Sequence, residues 1–147
     1  MKFSLLCGLF VLVCSGAFAQ SVPAGWKTVK ESDGKCEVSV PPEWTVAPGN
    51  PGYASAKKQL DGSVVVTIGY DTLQPMPESV QKAFKVDKMF ENTAKRVFYS
   101  DHLDKITNYN VSVPGKAGFT CTSQVTFSEA TKEDIAKAIA LSVGPAK

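Results

Sequence analysis

The chain has 147 residues, a length that suits one domain with a single hydrophobic core. Its formal net charge is only +2 and its lysines are spread along the sequence, so the strong basic field that favours nucleic acid or anionic membranes is missing. We therefore expect no nucleic-acid partner.

The first 19 residues have the three parts of a secretory signal peptide. Lys2 provides the positive start, residues 3–14 form an apolar run, and Ala17-Phe18-Ala19 is a small-x-small cleavage site before Gln20. The apolar run is too short to span a bilayer, and no second run of this kind follows. We predict cleavage after Ala19 and a secreted or periplasmic protein without a transmembrane segment.

Cleavage leaves Cys36 and Cys121 as the two cysteines of the mature chain. Thiols tend to pair in an oxidising compartment, and both residues stand among apolar neighbours on the core-facing sides of predicted strands. A redox pair usually has Cys-x-x-Cys spacing, and two distant cysteines with one histidine make a poor zinc site. We predict a structural disulfide that stabilises the fold by about 4–5 kcal/mol on the chain-entropy account.

Residues 20–35 contain proline and glycine and show no sustained periodicity, which indicates an N-terminal extension or loop. From Cys36 to Val40 apolar and polar residues alternate, so this segment is predicted to be a half-buried strand that ends at Pro41-Pro42. We expect Trp44, which follows the prolines, to lie in the core. The folded domain is predicted to span residues 36–147.

Two hairpins are predicted further along the chain. Extended segments at 53–60 and 63–70 flank Asp61-Gly62, a strong signal for an antiparallel hairpin. Alternating segments at 107–113 and 117–127 are joined at Pro114-Gly115 and form the second hairpin.

Two helices complete the prediction. Apolar residues recur at spacings of three and four from Glu78 to Tyr99, which predicts a long main helix on the sheet. Thr131-x-x-Asp134 resembles a capping box, and a short C-terminal helix is predicted to end at Gly144-Pro145. The expected fold is α+β, with an antiparallel sheet of about five strands packed against one long helix and a short C-terminal helix in a single α/β sandwich domain.

Catalytic chemistry is not apparent in the sequence. His102 is the only histidine, and its predicted place just after the main helix favours a solvent-exposed side chain near the helix C-terminus. The alternatives are a weak metal site with Asp101 and Asp104, or a catalytic base. Nucleotide, phosphate and zinc-protease motifs are missing. We predict no enzymatic activity, no catalytic residue, no metal and no cofactor.

Aromatic residues in loops, at strand ends or off the helix stripe suggest a binding surface. Trp26, Tyr53 and Tyr99 are the candidates, since aromatic residues exposed together often mark a binding face. The alternative is that each of them closes an edge of a small core. A second functional hypothesis is a pocket between the sheet and the main helix, near His102, that binds or hydrolyses a small molecule.

The segment Val40-Pro41-Pro42-Glu43-Trp44, followed by a hairpin, a long helix, further strands and Ile139-Ala140-Leu141-Ser142, resembles the PsbP-like superfamily, which includes bacterial DcrB-type envelope proteins. The resemblance covers most of residues 36–143. The chain departs from it by passing from Phe127 almost directly to the last helix, where the family often has another strand. The resemblance implies an antiparallel sheet covered by helices and a role in binding or accessory assembly. We therefore expect a non-enzymatic accessory domain that binds an envelope or extracellular protein.

Overall fold

The structure of the protein, a computed structural model, describes residues 22–47, 53–58, 62–128 and 133–147, with the backbone alone for 53–58. The predicted signal peptide, the Asp61 of the first turn and the Thr131 of the capping box lie outside these residues. The described chain contains two helices, α1 (Glu78–Ala83) and α2 (Glu133–Leu141). Its strands are β1 (Lys27–Lys30), β2 (Cys36–Val40), β3 (Thr45–Ala47), β4 (Tyr53–Lys58), β5 (Gly62–Gly69), β6 (Val86–Asn92), β7 (Val97–Leu103), β8 (Ile106–Pro114), β9 (Thr120–Phe127) and β10 (Gly144–Pro145).

The described strands form two antiparallel sheets. The smaller has the order β1-β2-β10, and the larger has the order β3-β4-β5-β9-β8-β7-β6. Both predicted hairpins are confirmed, because β4 pairs with β5 and β8 pairs with β9. In the second hairpin Tyr109 lies opposite Val125, so the two core-facing rows of the strands are in register.

The predicted fold class is wrong, because the described chain is mostly β-structure and its two helices are short. The segment predicted as the main helix, residues 78–99, forms α1, β6 and the start of β7. Lys85 has a φ of 51°, which ends α1, and Thr93 closes the β6–β7 turn with hydrogen bonds from the backbone N–H groups of Lys95 and Arg96 at 3.2 and 3.1 Å. Such local bonds compete with helix formation.

The main core lies between the inner face of the large sheet and a layer made of α2 and the small sheet. Ala136, Ile139 and Ala140 are the buried residues of α2, as the amphipathic pattern of this helix predicts. Trp44 is 2% exposed within the same core, which confirms its predicted burial. The predicted C-terminal helix is therefore confirmed. Helix α2 and the small sheet together cover the inner face of the large sheet.

The predicted disulfide is also confirmed. Cys36 of β2 and Cys121 of β9 are bonded, with their Cα atoms 5.5 Å apart. Both residues are fully buried. The bond therefore ties the small sheet to the centre of the large one.

The N-terminal extension or loop predicted for residues 20–35 contains a strand. Residues 27–30 form β1, which pairs with β2, and Val29 is 2% exposed in the core. Gly144-Pro145, predicted only to end the last helix, forms β10 on the other edge of β2. Both edge strands of the small sheet are thus too short to show a sequence periodicity, whereas its central strand β2 was predicted.

The outer face of the large sheet is covered at its β6–β7 end by a second, smaller apolar cluster. Leu73, Val97 and Tyr99 are its buried members. Residues 73–76, which precede α1, cover this end of the sheet. Asn92 of β6 holds this segment in place, because its Oδ1 accepts from the backbone N–H of Met76 at 2.6 Å and its Nδ2 donates to the Met76 carbonyl at 3.0 Å. No helix in the described ranges is long and apolar enough to cross a membrane.

Candidate functional site

A groove of about 360 Å³ runs along the outer face of the large sheet, next to the segment that covers β6 and β7. Side chains directly opposite each other on neighbouring strands stand on the same face. The register places Tyr99 opposite Asn110, Asn110 opposite Gln124, and Gln124 opposite Val65. These four residues therefore form one row across β7, β8, β9 and β5, and all of them line the groove.

A network of polar side chains converges on Asp101 at the edge of this row. Asn108 Nδ2 donates to Asp101 Oδ1 at 2.7 Å, and Asn110 Nδ2 donates to Asp101 Oδ2 at 2.6 Å. Gln124 Nε2 donates to Asn110 Oδ1 at 3.2 Å, and Thr126 Oγ1 donates to Asn108 Oδ1 at 2.8 Å. The hydrogen bonds of both branches thus run toward one carboxylate, which fixes its orientation.

The carboxylate of Asp101 is held by amides and not by a cation. No described lysine, arginine or histidine forms a salt bridge with it. Burial raises the pKa of the Tyr99 phenol, and the negative charge of Asp101 raises it further. Asp101 is the one charged residue in the described lining of the groove, whose other members are Val65, Thr67, Phe84, Tyr99, Asn110, Thr122 and Gln124.

The groove also has an exposed aromatic residue at its rim. Phe84 follows α1, and its backbone N–H donates to the Val80 carbonyl at 2.9 Å, which closes the helix. Its side chain is 59% exposed, although it is large and apolar. The short helix therefore presents an aromatic ring beside the polar network.

A second cavity, of about 290 Å³, lies between α2 and strands β6–β9, on the inner side of the sheet. Asp87 Oδ2 forms a hydrogen bond with His102 Nδ1 at its rim, and Ser100 also lines it. His102 was predicted to be an exposed residue near the C-terminus of a helix. It lies on strand β7 instead, and about half of its side chain is exposed.

Three other polar residues of this second cavity, Tyr109, Glu133 and Lys137, pair with one another. Tyr109 donates to Glu133 Oε1 at 2.5 Å, and the Lys137 ammonium lies 2.7 Å from the same oxygen. The hydrogen bond from Lys137 and that from Tyr109 lower the pKa of Glu133, while burial and the bond to Glu133 raise the pKa of Tyr109. Lys137 also lies 5.4 Å from the centre of the Phe90 ring. These groups stabilise the packing of α2 on the sheet.

The structure places Trp26 and Tyr99, two of the three residues of the predicted aromatic surface, in different clusters. Trp26 is partly buried against the main core, whereas Tyr99 belongs to the second cluster on the opposite face of the large sheet and is only 9% exposed. The side chain of Tyr53 lies outside the described residues. Of the two candidates whose side chains are described, Tyr99 lines the groove.

Sequence reasoning missed the polar network itself. Asn108 and Asn110 flank Tyr109 on β8, and Gln124 and Thr126 flank Val125 on β9, so a polar face could be recognised on each strand. The convergence of these faces on Asp101 depends on the register between strands, which the pattern within one strand does not contain.

Metal ligands are not clustered in the described residues, where no group of three or more histidine, cysteine, aspartate or glutamate side chains could hold an ion. In comparisons with known proteins, no protein-family model and no curated protein matches this chain.

Proposed function

We propose that the mature protein is a non-enzymatic binding domain that works outside the cytoplasm, and that its ligand occupies the groove around Asp101. The observation that carries this proposal is the convergence of Asn108 and Asn110 on a carboxylate that has no described cationic partner. A concave site with a few converging polar groups between apolar walls is the usual composition of a ligand site.

The chemistry of the groove supports binding more than catalysis. Nucleophilic catalysis needs a nucleophile within hydrogen-bond distance of a base. The neighbours that hold Asp101 are the amides of Asn108 and Asn110, which neither accept nor donate a proton readily at neutral pH. Hydrogen bonding and charge recognition are the functions these groups perform well.

Two further observations support the location. The N-terminal sequence has the composition of a signal peptide. The disulfide between Cys36 and Cys121 belongs to the type of crosslink that persists in oxidising compartments.

A ligand screen by NMR on isotope-labelled mature protein tests the proposal. We expect binding compounds to shift the signals of Asn110 and Gln124, and we expect Asp101→Asn to weaken that binding. The matched control is Asp87→Asn, which makes the same change at the second cavity and should leave groove binding intact. Ligand shifts confined to the residues around His102 would show that the groove is the wrong site.

The second cavity supports a different function, hydrolysis of a small substrate. The observation that favours it is that Asp87 pairs with His102 Nδ1 and that Ser100 lines the same cavity, although no hydrogen bond joins Ser100 to His102 in the described part of the chain. Ester turnover by the purified protein that is lost in both Ser100→Ala and His102→Ala would establish this function. Turnover that survives both changes, or no turnover above background, would eliminate it.

A further inference from the structure

We infer that the groove selects a primary ammonium group, carried by a free alkylamine or by a lysine side chain, and that Asp101 is the counter-ion of this group. The inference rests on the proposed binding function and specifies the chemistry of the ligand. It follows from the charge, the hydrogen-bond acceptors and the aromatic rings of the groove.

The charge of the groove is the first observation. Among the described residues that line the groove, Asp101 alone is charged, and the amides of Asn108 and Asn110 orient its carboxylate without cancelling the charge. A cation that enters the groove therefore gains a charge-assisted hydrogen bond. An anionic ligand is repelled by the same carboxylate.

The free acceptors are the second observation. A primary ammonium has three N–H donors and no acceptor, so it needs several oxygen atoms around it. Gln124 uses its Nε2 as a donor to Asn110, and its Oε1 accepts no hydrogen bond from a described residue. Together with Asp101 and the hydroxyl of Thr67, which also lines the groove, it offers acceptors to an ammonium head. A quaternary ammonium has no N–H and cannot use them.

The aromatic residues are the third observation. Tyr99 lines the groove, and the ring of Phe84 is largely exposed beside it. Cations are attracted to aromatic faces, and apolar carbon chains pack against them. The same attraction occurs within this protein, where the Lys88 ammonium lies 4.9 Å from the centre of the Phe90 ring. An alkylammonium therefore fits both its head and its chain to this groove.

The test titrates three probes into isotope-labelled protein and follows the side-chain amide signals of Asn110 and Gln124. The probes are n-butylammonium, n-butanol as the neutral analogue of the same length, and N-acetyl-lysine amide. We expect at least one of the two ammonium probes to shift these signals and n-butanol to leave them unchanged. Asp101→Asn should weaken ammonium binding about tenfold or more, the effect of losing roughly 1.4 kcal/mol of interaction.

Asp104→Asn is the matched control. It makes the same change of charge in the exposed β7–β8 turn, where φ is 55° and asparagine is well tolerated, so ammonium binding should be retained. If Asp101→Asn does not fold, Gln124→Leu at an exposed position of β9 replaces it, and it should also weaken ammonium binding, followed on the Asn110 side-chain signal alone.

The outcomes separate the inference from the function on which it rests. Binding of n-butylammonium alone identifies a free amine as the source, and binding of N-acetyl-lysine amide alone identifies a protein side chain. Equal shifts with n-butanol, or no shift with any probe, overturn the ammonium inference, whereas the proposed binding function survives if other ligands bind the groove. Retained ammonium affinity in Asp101→Asn would overturn the role of the counter-ion.

Discussion

The carboxylate of Glu31 accepts a hydrogen bond from the backbone N–H of Cys36 at 3.0 Å, so a buried acid holds the residue that carries the disulfide. It also accepts from the backbone N–H groups of Asp33 and Lys35, at 2.6 and 2.5 Å. Glu31 is only 2% exposed. Three backbone donors replace the water that this charge loses on folding, and they shape the turn between β1 and β2.

Removal of this carboxylate should therefore destabilise the protein strongly. We expect Glu31→Ala to lower the free energy of unfolding by about 2–4 kcal/mol, because buried backbone N–H groups would lose their acceptor. Urea unfolding measures the change. Glu78→Ala is the control, since its side chain is 80% exposed and its ion pair with Lys82 should contribute less than about 1 kcal/mol. Similar losses in the two variants would contradict this account of Glu31.

Loss of the disulfide should be the larger effect. The bond joins residues separated by 85 positions, and the double variant Cys36→Ala and Cys121→Ala should lower the free energy of unfolding by about 4–5 kcal/mol on the chain-entropy account. Chemical unfolding of the oxidised protein, the reduced protein and the double variant measures it. The reduced protein and the double variant should behave alike, and a loss below about 1 kcal/mol would show that the bond contributes little.

Acid pH should weaken the contact between α2 and the sheet. The bonds from Lys137 and Tyr109 lower the pKa of Glu133 below its ordinary value of 4.5, so the folded state binds its proton less readily than the unfolded state. The stability from this group is present above pH 4.5 and is lost as the pH falls through the lower, folded-state pKa. Glu133→Gln should therefore lose less stability than the wild type between pH 5 and about 3. Chemical unfolding at each pH measures the stability of both proteins. If their stabilities fell in parallel over this range, the protonation of Glu133 would not explain the loss.

The turn between β6 and β7 offers a direct test of strand against helix. Thr93 Oγ1 accepts from the backbone N–H groups of Lys95 and Arg96, so Thr93→Ala should destabilise the protein by about 1 kcal/mol. In a long helix over residues 78–99 the same change would be stabilising, because alanine has the highest helix propensity. The sign of the change in thermal midpoint therefore distinguishes the two structures.

The failed helix prediction has a local physical cause. Strand β6 contains register shifts between Val86 and Lys88 and between Met89 and Glu91, so the alternation expected of a strand is interrupted twice. The spacing of four between Val86 and Phe90 then imitates a helix. The two residues nevertheless lie on opposite sides of the sheet: Phe90 packs against the main core, and Val86 packs against the second cluster on the outer face.

Local patterns by themselves determined the β2 strand, both hairpins and the last helix, because alternation and turn residues act over short stretches of sequence. The predicted cleavage after Ala19 leaves two cysteines, so it allows one pairing, and the structure contains that bond. Only the tertiary structure decided the site. Asp101, Asn110 and Gln124 lie on three different strands, and the register of β7, β8 and β9 brings their side chains onto one face. Register depends on packing across the whole sheet, so a polar position on one strand carries no information about which residue will stand beside it.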